Sequence, residues 1–130
     1  MKTSLRFLAS LLGLLIGQVS AAEKDLVPAT DIVAKRCLAF ATTLRLSHPS
    51  VESEEGRACA ISRTRYPTNS TIAYGYALSL WITKKHDAAA INAAKVAAKL
   101  GSIDAPVLIG LGYYFGEGVE KDTKEAFRLF

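Results

Sequence analysis

From Ile32 onward apolar residues recur three and four positions apart, and the chain nowhere alternates apolar and polar residues in β-branched runs. That spacing gathers apolar side chains on one side of a helix rather than one face of a strand. The expected fold class is therefore all-α. Thr30 or Asp31 caps a first helix with the stripe Ile32, Val33, Leu38, Phe40, Ala41 and Leu44, and Ser47, His48 and Pro49 turn the chain. Ser50 opens a second helix, in which Glu52, Glu54 and Glu55 suit the positive N-terminal end. Its buried side is Ala58, Cys59 and Ile61, and Tyr66 and Pro67 stop it.

Asn69 or Ser70 starts a third helix, with Ile72, Ala73, Tyr76, Ala77, Leu80 and Trp81 on its apolar faces and Lys84 to His86 at its close. A fourth begins near Asp87 and is rich in alanine, which favours helix and lets a neighbour approach closely; Gly101 ends it in a left-handed conformation. Asp104 caps a fifth, with Pro106 in its first turn and Leu108, Ile109, Leu111 and Phe115 following. After the loop Gly116 to Val119, Asp122 and Glu125 form a capping-box-like pair at the start of a sixth.

Six helices on short turns make three antiparallel hairpins, spanning 23–67, 68–101 and 102–130. Moving the chain along itself by 35 residues lays Gly75 on Gly110 and Asp87 on Asp122. A period of about 34 to 40 residues marks stacked helix-turn-helix units.

The segment from Gly101 to Phe130 resembles the Sel-one-like repeat, a branch of the tetratricopeptide-like families. The resemblance rests on Gly101, Ala105, Ile109, Gly110, Tyr113, Gly116, Gly118, Val119, Asp122, Ala126, Leu129 and Phe130, in order and without gaps. Ala97, Ala98 and Gly101 resemble the small-residue ending of the preceding unit. Gly112 stands where the family has a larger apolar residue, and residues 81–87 lack its Gly-x-Gly-Val loop, so the middle hairpin is closer to a plain tetratricopeptide-like unit. The resemblance implies a short right-handed α-solenoid. In it Gly110 and Ala105 clear the crossing of two helices, Gly116 and Gly118 take positive φ, Val119 plugs the loop into the core and Ala126 packs back on the glycine face. The family's second helix continues about two turns past Phe130, so the last unit is expected to be incomplete at its C-terminal end. The Phe127, Leu129 and Phe130 side chains there are then expected to be covered by the continuation of a longer array, of which this sequence is a fragment, or else by a partner or a second copy.

Lys2 and Arg6, the apolar run Phe7 to Val19 and the small residues Val19 to Ala22 read as a secretory signal peptide over 1–22, too short for a membrane span. Its removal leaves 14 basic against 12 acidic residues, a net charge of about +2 and no nucleic-acid footprint. Export to the periplasm or beyond makes a disulfide between Cys37 and Cys59 reasonable. Each lies 11 residues from position 48 in the turn, so an antiparallel hairpin sets them side by side.

The spacing of Gly110, Gly112 and Gly116 does not fit a dinucleotide loop, and Gly-x-Ser-x-Gly, Ser-x-x-Lys and His-Glu-x-x-His are absent from the sequence. His48 and His86 read as solvated turn residues. Asn69, Ser70 and Thr71 match a glycosylation acceptor. The aromatic group Tyr113, Tyr114, Phe115, Phe127 and Phe130 reads as core. No catalytic residue, metal ligand or cofactor site is expected. The expected role is an exported scaffold or adaptor holding a protein or peptide on the concave face of stacked hairpins. Cysteine-rich relatives that bind or slowly cleave β-lactams imply a cell-wall ligand or enzyme as an alternative, and a secreted effector of host proteins is a third.

Overall fold

The computed structural model describes residues 26–42, 53–83 and 87–130. The expected signal peptide and the sites named at Leu44, Ser47 to Ser50, Glu52 and Lys84 to His86 lie outside them. All regular structure among the described residues is helical: α1 (Ile32–Thr42), α2 (Glu54–Arg65), α3 (Ser70–Thr83), α4 (Ala88–Lys99), α5 (Ala105–Phe115) and α6 (Thr123–Leu129). Helices adjacent in the chain pack on one another, and α1 also packs on α3.

Side chains and backbone turns fix the helix ends. The Ala34 N–H donates to Asp31 and the Ile72 N–H to Asn69. Asp87 accepts from the N–H groups of Ala89 and Ala90, and Asp122, 35 residues on, from those of Lys124 and Glu125. From Ser70 to Ala105 and from Ala88 to Thr123 the helix starts are likewise 35 residues apart. The Gly101 N–H donates to Ala98 and the Ser102 N–H to Ala97, a double closure that needs the positive φ of Gly101.

Three expected caps differ. Ser53, not Ser50, accepts from the Gly56 N–H and opens α2. Asp104 makes no side-chain cap; Ser102, buried just before the helix, accepts from the Ala105 N–H instead. Only half of the capping box at Asp122 forms, because the Asp122 N–H donates to the Tyr113 carbonyl and Glu125 is held by Arg128.

Buried Ala77, Trp81, Ala90, Ile91, Ala94, Leu108 and Ile109 join α3, α4 and α5 in one cluster, against which Tyr113, Val119 and Leu129 pack. Ala105 is buried with Ala73 of α3 and Ala97 of α4, so it clears the contact between hairpins rather than the crossing within its own. Gly112, where a larger residue was expected, makes room for Ile91: a Cβ there would stand 2.5 Å from the Ile91 Cδ1.

Cys37 and Cys59 are bonded, with Cα atoms 4.7 Å apart, and both are fully buried with Ala34, Ala58 and Ile72. The bridge seats on α3 at Gly75, where a Cβ would lie 3.0 Å from each sulfur. Gly75 and Gly110 are therefore alike in position but not in neighbour, since a Cβ on Gly110 would strike the ring of Phe130, the residue after α6, at 2.6 Å.

The Ser62 hydroxyl is buried in α2 without a partner among the described residues. Removing an orphan hydroxyl while gaining helix propensity is favourable. Ser62→Ala is expected to raise stability by about 0.5 to 1.5 kcal/mol, read as a higher melting temperature in a thermal scan.

Candidate interaction surfaces

Within α6 the inward positions go to Ala126, fully buried, and Leu129. Phe127 stands on another side, while Phe130, just past the helix, lays its ring over Gly110 of α5 and remains half-exposed. On α5, Gly112 meets Ile91 of α4, and Tyr114, two residues on and about half a turn round, points away from that contact. Tyr114, Phe115, Phe127 and Phe130 consequently stand at the surface, between 40% and 68% exposed. They form a chain of edge-to-face contacts, with ring centroids 5.0 Å apart from Phe115 to Tyr114, 6.2 Å from Tyr114 to Phe127 and 6.3 Å from Phe127 to Phe130. This corrects the reading of these four rings as core. The short α6 offers too little inward surface for all its apolar residues. Tyr113 turns inward, with Lys95 of α4 over its ring at 5.9 Å.

Gly116 and Gly118 hold the loop that sets this edge, with φ of 75° and 73°. Gly118 lies against the start of α4, where a Cβ would approach the Asp87 carbonyl oxygen to 2.6 Å.

A second apolar surface lies at the other end of the row of hairpins. Ile32, Val33, Ala58 and Ile61 line an open groove of about 390 Å³ between α1 and α2, flanked by Arg36, Glu54 and Arg57. Ile32 and Ile61 are turned away from Cys37 and Cys59, whereas Val33 and Ala58 also pack with the buried cluster around the bridge. Ile32 and Ile61, expected on buried stripes, are 72% and 45% exposed for that reason. Arg36 pairs with Glu54 at 2.6 Å, while the Arg57 guanidinium makes no ion pair or hydrogen bond among the described residues.

At the base of this hairpin the Tyr66 hydroxyl donates to Asp31 at 2.8 Å and Arg65 sits 3.2 Å from the same oxygen. The Ala34 N–H, Tyr66 and Arg65 hold the Asp31 carboxyl below its ordinary pKa of 3.8, and the Asp31 charge in turn raises the Tyr66 phenol. A depressed carboxyl pKa favours the folded state above the ordinary value, and this contribution disappears as pH falls through the folded-state value. Acid unfolding followed by circular dichroism is expected to show Asp31→Asn with a shallower fall in stability below about pH 3.8 than the parent protein.

Among the described residues no group of three or more His, Cys, Asp or Glu could hold a metal ion, and no helix is long and apolar enough to cross a membrane. Asn69 of the acceptor pattern spends its side-chain oxygen on the cap of α3. Among the described residues the architecture is all-helical, with a disulfide in the first hairpin. Comparison with family models, curated proteins and solved structures returned no match.

Proposed function

We propose that this chain is an exported, non-catalytic helical-repeat module of the Sel-one-like kind, a short right-handed α-solenoid that holds a protein or peptide. Support for the repeat comes from the 35-residue spacing of helix starts, the equivalent Asp87 and Asp122 caps and the positive φ of Gly116 and Gly118. The disulfide suits an oxidising compartment, in keeping with a signal peptide over 1–22. The observation that carries the binding role is the exposed aromatic edge of α5 and α6. Contiguous exposed apolar surface is characteristic of interaction sites, and aromatic rings dominate the energetics of such contacts. Tyr114 and Phe115 stand on the first helix of their hairpin, the helix that lines the concave side of arrays of this kind.

The exported protein, used as bait in an extract of exported proteins, tests this. A partner recovered by the parent protein and by Asn92→Ala, and lost with Phe127→Ser, is the expected result. Asn92 is exposed on α4, 35 residues before Phe127. Equal recovery by all three, or none by any, contradicts the proposal.

A further inference from the structure

The trough between α1 and α2 has two sides. On one, α3 packs against both helices, with Gly75 seated on the bridge between Cys37 and Cys59. On the other lies the open groove of about 390 Å³. Its α2 wall is Glu54, Arg57, Ala58 and Ile61, a spacing of three, one and three that keeps them on one side of the helix. Ala58, 4% exposed, makes the floor, and its short side chain gives the groove its depth. Two ion pairs fix the register of the antiparallel helices, Asp31 with Arg65 and, five residues along α1, Arg36 with Glu54. Ile32 therefore stands across from Ile61 at one end of the groove, and Arg57 lies at the other end with Arg36 and Glu54. The two ends are about 6 Å apart, the rise over one helical turn. Arg36 is taken by Glu54, whereas the Arg57 guanidinium makes no ion pair or hydrogen bond among the described residues. Beyond the apolar end Asp31 and Arg65 offset each other. The groove thus carries one uncompensated positive charge, placed at one end.

We infer that this groove takes an amphipathic helical segment of another protein, with apolar side chains over Ala58 between Ile32 and Ile61 and, one turn along the segment, a carboxylate on Arg57. The site is separate from the aromatic edge of α5 and α6 and adds to the reading given for it. A helix fits because α3 already fills the opposite side of the same trough in that way. Ile32 and Ile61, 72% and 45% exposed, are the apolar surface that the segment covers, as amphipathic helices do in apolar grooves. The charge selects the partner. Beside Arg57 an acidic side chain is attracted and a lysine repelled, and salt weakens both effects.

The probe is a phage-displayed library of alanine-based helical peptides, randomised along one side and selected on the full, oxidised chain. The peptides it returns are then titrated by fluorescence anisotropy. Selection is expected to return apolar residues three or four apart with Asp or Glu one turn beyond them. Changing that acidic residue to Lys should weaken binding about tenfold, and raising salt from about 0.05 to 0.5 M several-fold. Arg57→Glu alters an exposed side chain and should reverse the preference, so that the Lys peptide binds better than the acidic one. Ile61→Glu should weaken binding at least about tenfold, with Ile32→Ser in its place should Ile61→Glu lose helical circular dichroism. Phe127→Ser should bind the peptides as the parent does. A library that returns no binder, binders without an acidic preference, or an Arg57→Glu variant that keeps the acidic preference overturns the inference. So does loss of binding with Phe127→Ser, which would put the peptides on the aromatic edge. A parent chain that self-associates, and ceases to with Ile61→Glu, would make the occupant a second copy and overturns it as well.

Discussion

Gly118→Val is expected to destabilise the chain by about 3 to 5 kcal/mol, the sum of a left-handed backbone forced on a β-branched residue and overpacking against a backbone atom. Gly118 has φ 73°, a conformation that side chains with a branched Cβ rarely adopt. Its missing Cβ is also where the Asp87 carbonyl passes, 2.6 Å from the position that atom would take. The carbonyl cannot swing aside as a side-chain end would, because Asp87 caps α4 and its own carbonyl accepts from Ala90. Gly101→Val separates the two effects. It shares the positive φ, at 101°, but has nothing within 4 Å of a Cβ, so it should cost about 1 to 3 kcal/mol from the backbone alone. Chemical unfolding of both variants measures the difference. Equal losses would mean that the close approach of the α5–α6 loop to α4 contributes nothing.

Replacing Cys37 and Cys59 together by alanine is expected to cost about 3 kcal/mol, chiefly by releasing the closed loop in the unfolded chain. The bridge spans a sequence separation of 22 and is buried between α1, α2 and α3. Its seat on Gly75 gives a second, sharper expectation. With the bridge in place, Gly75→Ala sets a methyl 3.0 Å from both sulfurs and 3.1 Å from the Ala41 Cβ, and should destabilise despite the better helix propensity of alanine. Without the sulfurs the same substitution should be neutral or stabilising by up to about 1 kcal/mol. Denaturant unfolding of the four proteins closes a double-mutant cycle, and strictly additive effects would show that the disulfide does not rest on Gly75.

Much of this architecture was legible in the sequence because helix ends depend on a few neighbouring residues. Asp87, Asp122 and Gly101 act locally, and each holds its end as expected. The cap of α5 fell to Ser102 rather than Asp104 because two competent residues stand two positions apart and the backbone path decides between them. Ser53 and Ser50 pose the same choice at α2. The pairing of Cys37 with Cys59 was legible because an antiparallel hairpin makes distance from the turn a coordinate in space.

The surfaces were not legible. Ile32 and Ile61 satisfy a helical stripe, but the face that meets α3 is the one carrying Ala34, Cys37 and Cys59, a matter of which side the third helix occupies. The four rings at the C-terminal hairpin read as core by composition, although Phe127 lies about 100° round α6 from buried Ala126.

The claim that the aromatic edge is a protein-binding surface is tested most directly by placing a photoreactive phenylalanine analogue at position 127 of the protein in the cells that produce it, and at exposed position 92 as the control. The account predicts, after irradiation, a discrete covalent adduct from position 127 that is larger than the chain by the mass of another polypeptide, and none from position 92. No adduct from 127, or the same adduct from both positions, would contradict it.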